Sequence, residues 1–550
     1  MKPLRIAVIG VGPRGLSVLE RVVSHTRRAG PPVELLLVEP DEPGIGVHRS
    51  KQPDYLLLNT IASQLTVFSD TEMVPGAPVT PGPAFDEWCA ARGVPAAFDA
   101  FLPRRLLGEY LQWATGELLA AAPERLTVRH IPAVATRVRP GGDGATVTLA
   151  DGTEHRVDLA VVTTGHGLAV RPPGPADGWI ETPYPLPDQL DGIPDGAAVA
   201  VLGTGLTAMD VVACLTVGRG GVFTGDGYRA SGREPRIVLA NRAGPLPRAR
   251  PNTTRQRRSA PAAHFTPAAV AALRERTPDG RLDFRRDVEP LILREALARL
   301  GADAGADAAA TVERALAGGG ERPEDYAAYT AALLEQARAD LAEARRGLGA
   351  SPVKEALEVL RDHRDSLRAA LDPPGLTDAS HRYFMTEYAA LVNRTVIGPQ
   401  KERVDEVLRL MAAGVVRPGP GPAPRLDRDG DGWTLSSTRL RRPHRMAVDL
   451  VVRANLGWPA PDPLTDPLGQ ALREWAAPGQ GGALRLDRDG FVVPRPGAGA
   501  AGRTVAVLGP PAEGASYYNH YVPSPGVRSR ALTDVDRVLA PVLGAPATTG

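Results

Sequence analysis

The chain has 550 residues, more than one hydrophobic core usually holds, so roughly two to four domains are expected. Its 64 Lys+Arg against 63 Asp+Glu leave a formal charge of +1, which excludes a global field drawing the protein to nucleic acid or to an anionic membrane and directs attention to local sites for a small molecule. The two cysteines, Cys89 and Cys214, lack CxxC spacing, which argues against a disulfide reductase or a thiolate metal site and fits a reduced, cytoplasmic protein without a metal.

In chain order, Arg5 to Ile9 reads as a short buried strand, followed by a glycine-rich turn, an amphipathic helix to about Arg28 and a second apolar strand, Val33 to Val38. The apolar run from Ile6 to Gly15 is too short and too punctuated by glycine to be a signal peptide or a membrane span. Strand-like segments recur at Leu126 to Val138 and Thr146 to Leu149, and Val157 to Thr163 is a continuous apolar strand ending in Gly165. After a proline-rich stretch from Arg171 to Pro187 the pattern repeats: strand Ala197 to Leu202, glycine-rich turn, helix from about Thr207, strand Arg236 to Ala240. From Thr266-Pro267, an N-cap with proline at the first helical position, to about Ala413 the spacing is helical. Strands and turns return from Val415 to Val452, and Arg503 to Leu508 is a last apolar strand.

Two echoes stand out. Asp158-Leu-Ala-Val-Val and Asp449-Leu-Val-Val resemble one another, as though each marks re-entry into a nucleotide-binding domain. The hexapeptide Arg-Leu-Asp-Arg-Asp-Gly occurs at 425–430 and again at 485–490, each time before a strand-like run, which predicts hairpin turns. Asp427 to Gly432 matches the start of a calcium loop, but the twelfth position is Thr438 and no helical pair flanks it, so a β-turn is expected.

Gly10-Val-Gly12-Pro13-Arg14-Gly15 lies directly between a strand and a helix, the context of a dinucleotide fingerprint: the first glycine turns the chain, the second admits the pyrophosphate and the third lets helix and strand pack. Glu39 ends the next strand, 24 positions after Gly15, where a carboxylate accepts both ribose hydroxyls and repels a 2′-phosphate, favouring FAD over NADP. Gly203-Thr-Gly205-Leu206-Thr207-Ala208 is the second such turn, and Arg242, at the end of its following strand where the first unit has an acid, suits a 2′-phosphate, so NADPH is expected there. The sequence thus predicts an α/β protein with two Rossmann-like dinucleotide-binding domains and a mainly helical insertion. The expected boundaries are a first part of the FAD domain at 1–170, a first part of the NADPH domain at 190–262, the insertion, a substrate lid, at 263–414, a return of the NADPH domain at 415–456 and the C-terminal part of the FAD domain at 457–550.

In Gly10-Val-Gly12-Pro-Arg-Gly15-Leu-Ser-Val-Leu, Tyr55-Leu-Leu-Leu-Asn59, Leu102-Pro-Arg104-Arg-Leu-Leu-Gly-Glu-Tyr110-Leu, Val162-Thr-Thr-Gly165-His166 and Gly203-Thr-Gly205, the chain resembles the bacterial FAD-NAD(P)-binding family that includes the amino-acid N-oxygenating nitrosuccinate synthases. It is more distantly similar to ornithine and lysine N-hydroxylases. The resemblance implies that Asn59 and Arg104 lie near the flavin and that Gly165 passes close to its nucleotide. The Phe-x-Gly-x-x-x-His-x-x-x-Trp pattern of Baeyer-Villiger enzymes is not met, and the last strand ends in Gly509-Pro-Pro rather than the Gly-Asp pair of many flavoproteins.

The cluster Tyr517-Tyr518-Asn519-His520-Tyr521 follows that strand where such folds bring the chain to the flavin, making Asn59, Asn519 and His520 the catalytic candidates. Arg250, Asn252, Arg382, Tyr517 and Tyr518 are the candidates for substrate, the arginines for carboxylates of an amino acid such as aspartate. The resulting expectation is a monooxygenase in which NADPH reduces FAD, O₂ adds to the reduced ring and the hydroperoxide oxygenates a bound amine. An NADPH-dependent reductase without oxygen insertion and a non-catalytic FAD-binding protein are the alternatives, and a homo-oligomer is compatible with either.

Overall fold

The computed structural model describes residues 2–166, 177–318, 322–430, 432–454, 466–498, 502–519 and 522–543. Its N-terminal strands are β1 (Leu4–Ile9), β2 (Val33–Val38), β3 (Leu126–Ile131), β4 (Ala135–Gly141), β5 (Gly144–Leu149), β6 (Glu154–Val157) and β7 (Leu159–Val162). There follow β8 (Trp179–Ile180), β9 (Ala198–Leu202), the hairpin β10 (Val222–Thr224) and β11 (Gly227–Arg229), and β12 (Arg236–Ala240). Beyond a helical region come β13 (Val416–Pro418), β14 (Arg425–Asp429), β15 (Gly432–Ser437), β16 (His444–Val448), β17 (Leu450–Arg453) and finally β18 (Val505–Val507).

Two five-stranded parallel sheets organise the chain, in the orders β18-β7-β1-β2-β3 and β13-β12-β9-β17-β8. Read from the other edge, the second matches the first strand for strand: β1 and β9 are central, β2 and β12 follow their glycine loops, and β7 and β17 flank the other side. Both faces of each sheet are covered, which is why the strands are apolar throughout. In the first, Ile6, Val8, Leu35 and Leu37 pack with Leu16, Leu19 and Val23 of the helix Pro13–Thr26, while Ala7, Ile9, Leu36 and Val38 meet Val138, Val147 and Val157 of the antiparallel sheet β4-β5-β6. In the second, Val199, Val201 and Ile237 pack against Val211 and Leu215 of the helix Leu206–Leu215, while Ala198, Ala200 and Val238 meet Leu435 and Val448 of β14-β15-β16.

The two aspartates singled out by the sequence echo do the same job. An Asp158 carboxylate oxygen accepts the Arg5 N–H at 2.7 Å at the start of β1, and an Asp449 oxygen accepts the Ala198 N–H at 2.7 Å at the start of β9. Each satisfies a strand-end donor that has no sheet partner on that side. Both repeated hexapeptides form hairpins: Arg425 pairs with Ser436 in β14-β15, and Leu486 bridges Val492 across a turn at Asp487–Gly490. One difference from the sequence reading is β8. Trp179 and Ile180 lie in the proline-rich stretch ahead of residue 190 yet pair with β17; a two-residue strand is too short to leave a periodic pattern.

The region between β12 and β13 is helical, beginning at Pro267 with the Thr266 hydroxyl accepting the Ala269 N–H at 3.0 Å. Its core contains Phe265, Phe284, Phe384 and Tyr388 and also takes in Tyr517 from the C-terminal segment. The terminal helix Arg530–Leu543 returns to the first domain, where the buried Arg21 donates to Asp536 at 2.7 Å.

Candidate active site

β1 stops at Ile9 and the helix starts at Pro13, with an uncapped N-terminus whose first N–H groups are open to an anion. Gly10 has φ +84, and a Cβ there would stand 2.6 Å from the Thr164 Cα; a Cβ on Gly15 would stand 2.5 Å from the Gly10 oxygen. Protein packing alone therefore requires both glycines, while Gly12 faces Gly46 at 3.4 Å. Gly165 is different: at φ +73 its absent side chain faces nothing within 4 Å among the described residues, a cradle beside the loop that a nucleotide can fill. One Glu39 oxygen accepts the Val11 N–H at 2.7 Å, bracing the turn; burial pushes this carboxyl above its usual range. Gly509, at φ +78, closes the far side against the Arg14 side chain, which reaches Asp534 at 3.4 Å. These residues converge on one loop, and the fit to FAD is good.

The second loop repeats this plan. A Cβ on Gly203 (φ +141) would lie 2.3 Å from the Ala454 oxygen, whereas among the described residues Gly205, directly before Leu206 and the buried Thr207, has nothing within 4 Å of its absent Cβ. Leu202 and Ala240 are paired, so the residue in the place of Glu39 is Asn241 and not Arg242. Its amide donates to the Thr204 hydroxyl at 2.8 Å and its oxygen accepts the Gly244 N–H at 2.6 Å, bracing this turn as Glu39 braces the first. Aligning the two halves of the sequence would have found it. Arg242, one residue on, is exposed and donates to the Thr386 carbonyl of the insertion at 2.8 Å.

The Leu56–Asn59 strap runs antiparallel to Leu102–Arg104, with Leu58 N–H on the Leu102 oxygen at 2.9 Å and Arg104 N–H on the Leu56 oxygen at 2.8 Å. The Arg104 Nε holds the Leu57 carbonyl at 3.0 Å, and a terminal nitrogen reaches across to Asp210, which also accepts the Tyr184 hydroxyl at 2.9 Å. Burial alone would lower the pKa of Arg104, but Asp210 and Tyr184 raise it beyond its usual value. Arg104 thus ties the first nucleotide domain to the second, and Asn59 sits exposed at the end of the strap it anchors.

Beyond Gly509 the chain folds over Glu513, which accepts the Tyr518 N–H, the Asn519 N–H and the Asn519 side-chain amide at 3.0, 3.0 and 2.8 Å. That amide also lies 3.2 Å from the Ser516 hydroxyl, so Asn519 shapes this loop. His520 lies outside the described residues. Tyr517 and Tyr518 come together with Leu360, Arg361, Arg364 and Val392 in a narrow cleft between the insertion and this loop. Arg250 borders it, donating to the Val396 carbonyl at 2.5 Å. The other two substrate candidates are elsewhere: Asn252 donates to the Arg345 carbonyl at 2.8 Å and braces the end of the helix Tyr326–Arg346, and Arg382 is exposed. A polar residue in a basic run carries no sequence signal of which way its side chain turns. Among the described residues no His, Cys, Asp and Glu cluster could hold a metal, and no helix is long and apolar enough to cross a membrane.

Two parallel sheets, each with a glycine loop opening onto a helix N-terminus and joined by a helical insertion, define a two-dinucleotide flavoenzyme. A family model described as FAD-NAD(P)-binding matches residues 7–167. The sequence is 31% identical to an L-aspartate N-monooxygenase (nitrosuccinate-forming) from Streptomyces davaonensis, covering 98% of this chain and 97% of that protein. It is 29% identical to a nitrosuccinic acid synthase from Aspergillus oryzae, covering 98% and 93%. Among solved structures, the reduced form of ornithine hydroxylase from Pseudomonas aeruginosa aligns with a TM-score of 0.49 at 11% identity, covering 99% of each chain. The chain belongs to the FAD-NAD(P)-binding family of flavin-dependent N-monooxygenases.

Proposed function

We propose that this protein uses NADPH and O₂ to oxygenate the amine of a small amino acid, aspartate first among them, toward a nitroso or nitro product. The observation that carries the reading is the 31% identity, over 98% of the chain, to a relative named for that reaction. FAD, when bound at the first loop, supplies the oxygen activation that no side chain of this protein offers. Glu39, which accepts the Val11 and Asp41 N–H groups, offers its remaining acceptor capacity to the ribose, and the helix N-terminus at Pro13 faces the pyrophosphate. At the second loop the neutral Asn241 does not repel a 2′-phosphate as a carboxylate would, and the exposed Arg242 fork lies next to it, which supports NADPH over NADH. Asn59 and His520 are proposed to face the flavin, and the insertion is proposed to exclude water from the reacting amine. Cys89 and Cys214 are free and buried, in keeping with a cytoplasmic location; self-assembly into a homo-oligomer is part of the same proposal and is read by sedimentation velocity.

The test is anaerobic reduction of the FAD-loaded enzyme by NADPH and by NADH, followed by aerated turnover of a panel of amino acids with ¹⁸O₂ and mass spectrometry of the product. Fast reduction by NADPH and a labelled, aspartate-dependent N-oxygenated product are expected. Reduction without any labelled product across the panel would overturn the reading in favour of a reductase, and no reduction by either nucleotide would leave only a flavin-binding protein.

A further inference from the structure

The cleft between the insertion and the C-terminal loop is ringed by arginines, and nearly all of them are satisfied. Arg257 pairs with Glu355 at 3.0 Å and Asp362 at 2.6 Å, Arg361 with Glu358 at 3.3 Å, and Arg368 with Asp365 at 2.8 Å; Arg250 lies 3.9 Å from Glu358. Arg364 stands apart, for among the described residues no carboxylate lies within ion-pair distance of it. Its orientation is nevertheless fixed. The Nε donates to the Arg361 carbonyl at 3.1 Å, and the guanidinium carbon lies 5.0 Å from the centre of the Tyr518 ring. Tyr518 is itself pinned at φ +60, a conformation rare outside glycine, by Glu513 on its N–H and by Arg368 on its carbonyl at 3.1 Å.

A second observation points to the same place. Tyr517, 5% exposed, is among the residues lining this cleft, and among the described residues its hydroxyl has no hydrogen-bond partner, although its ring is seated edge-on against Phe384 at 4.9 Å. A buried hydroxyl left unmet is destabilising, so the position calls for an acceptor. The remaining wall, Leu360, Val392, Val396 and Ile397, is apolar and makes a charge-assisted bond here stronger than at an open surface. The cleft also adjoins the flavin side of the molecule. Arg361 holds the Gln64 side chain at 2.9 Å, just beyond the Asn59 strap, and Tyr517 follows the Gly509 turn that abuts Arg14 of the FAD loop.

We propose that Arg364 and the Tyr517 hydroxyl form a carboxylate-binding subsite that seats a carboxylate of the amino-acid substrate. Arg364 supplies the charge and a two-pronged donor face, Tyr518 the platform that aims it, and Tyr517 one more donor from the opposite wall. The proposal rests on the amino-acid reading given above and deepens it: the insertion, not either nucleotide domain, selects for an acidic substrate.

The probe is succinate, a dicarboxylate with no amine to oxidise, titrated calorimetrically into FAD-loaded wild-type, Arg364→Gln and Tyr517→Phe enzymes, with Arg338→Gln, an exposed arginine on another helix of the insertion, as the control. FAD content and melting temperature serve as the check on folding. Losing a charged hydrogen-bond donor should weaken succinate about 10- to 100-fold in Arg364→Gln, and losing the neutral hydroxyl about 2- to 10-fold in Tyr517→Phe, with Arg338→Gln like wild type. The KM for aspartate should rise with the succinate constant while kcat changes less. Unchanged succinate affinity in a folded Arg364→Gln, or no dicarboxylate binding by wild type, overturns the subsite; if Arg364→Gln does not fold, unchanged affinity in Tyr517→Phe does so. Wild type that binds succinate through these residues but does not oxygenate aspartate would uphold the subsite and overturn the assigned reaction instead.

Discussion

The guanidinium of Arg104 and the carboxylate of Asp210, 2.5 Å apart, join the two dinucleotide domains through a buried ion pair. Arg104 opens the helix Arg104–Ala120 beside the Asn59 strap, and Asp210 lies in the helix that follows the second glycine loop. Because the pair has little exposure on either side, leaving one partner alone is costly. Asp210→Leu or Arg104→Met alone should lower stability by about 3 to 5 kcal/mol, and the two together should recover much of that loss. Urea unfolding of the two single variants and the double, followed by flavin fluorescence, measures the coupling; additive losses would show that the pair does not hold the domains together.

Two glycines of the first loop should fail in different ways. In Gly10→Ala the new methyl meets the Thr164 backbone, so soluble yield and the melting temperature of the apoprotein should fall. Gly165→Ala meets nothing among the described residues and should cost the apoprotein only about 1 to 2 kcal/mol of left-handed backbone strain. Its methyl would instead occupy the nucleotide cradle, so FAD affinity should drop sharply. Differential scanning fluorimetry with and without FAD separates the two, and equal FAD affinity in Gly165→Ala and wild type would contradict the cradle.

Glu39 and Asn241 occupy matching positions, so exchanging their chemistry should exchange nucleotide preference. Glu39→Ala should weaken FAD binding about 10- to 100-fold, as expected for a charged hydrogen-bond partner, read by titrating the apoenzyme. Asn241→Asp places a carboxylate against a 2′-phosphate, and Arg242→Ala removes its fork. Each should raise the KM for NADPH about 10-fold or more and leave that for NADH nearly unchanged, measured as initial rates of flavin reduction.

Much of this architecture was visible before any coordinates. The glycine loops, the strands around them and Glu39 have local signatures, because tight turns and nucleotide contacts constrain residue type at fixed spacing. The Asp158 and Asp449 echo was visible for the same reason: each aspartate serves the backbone of an adjacent strand at a fixed place in a repeated plan. What the sequence hid are pairings made across large separations. Nothing in the helix around Asp210 announces a partner at Arg104. Arg364 looks like any other arginine of a basic, acidic and alanine-rich region, and only packing decides that its neighbours receive carboxylates and it does not. Asn241 carries no sequence signal of its own, because a neutral amide beside the charged Arg242 looks like an ordinary turn residue.

The buried Glu358 makes stability depend on pH in a defined window. Burial pushes its carboxyl from an ordinary value of 4.5 up to about 6, against the opposing pull of Arg250. A raised folded-state value means that the folded protein binds the proton more tightly than the unfolded chain. The associated stabilisation is present in full below pH 4.5 and is lost as pH rises through 6. Glu358→Gln carries no proton to lose. Between pH 4.5 and 7.5 the stability of wild type should therefore fall relative to Glu358→Gln by about 2 kcal/mol, measured by urea unfolding at both values. A constant difference would show that Glu358 titrates normally.

The first sheet is begun at residue 4 and completed only by β18 at 505–507, whereas every strand of the second lies between Trp179 and Arg453. During synthesis the nicotinamide domain can therefore close while the flavin domain still lacks an edge strand and the Gly509 turn that packs on Arg14. The domain started first is finished last, so a nascent chain halted before Val505 is expected to fold one nucleotide site while the other waits for its final fifty residues or so.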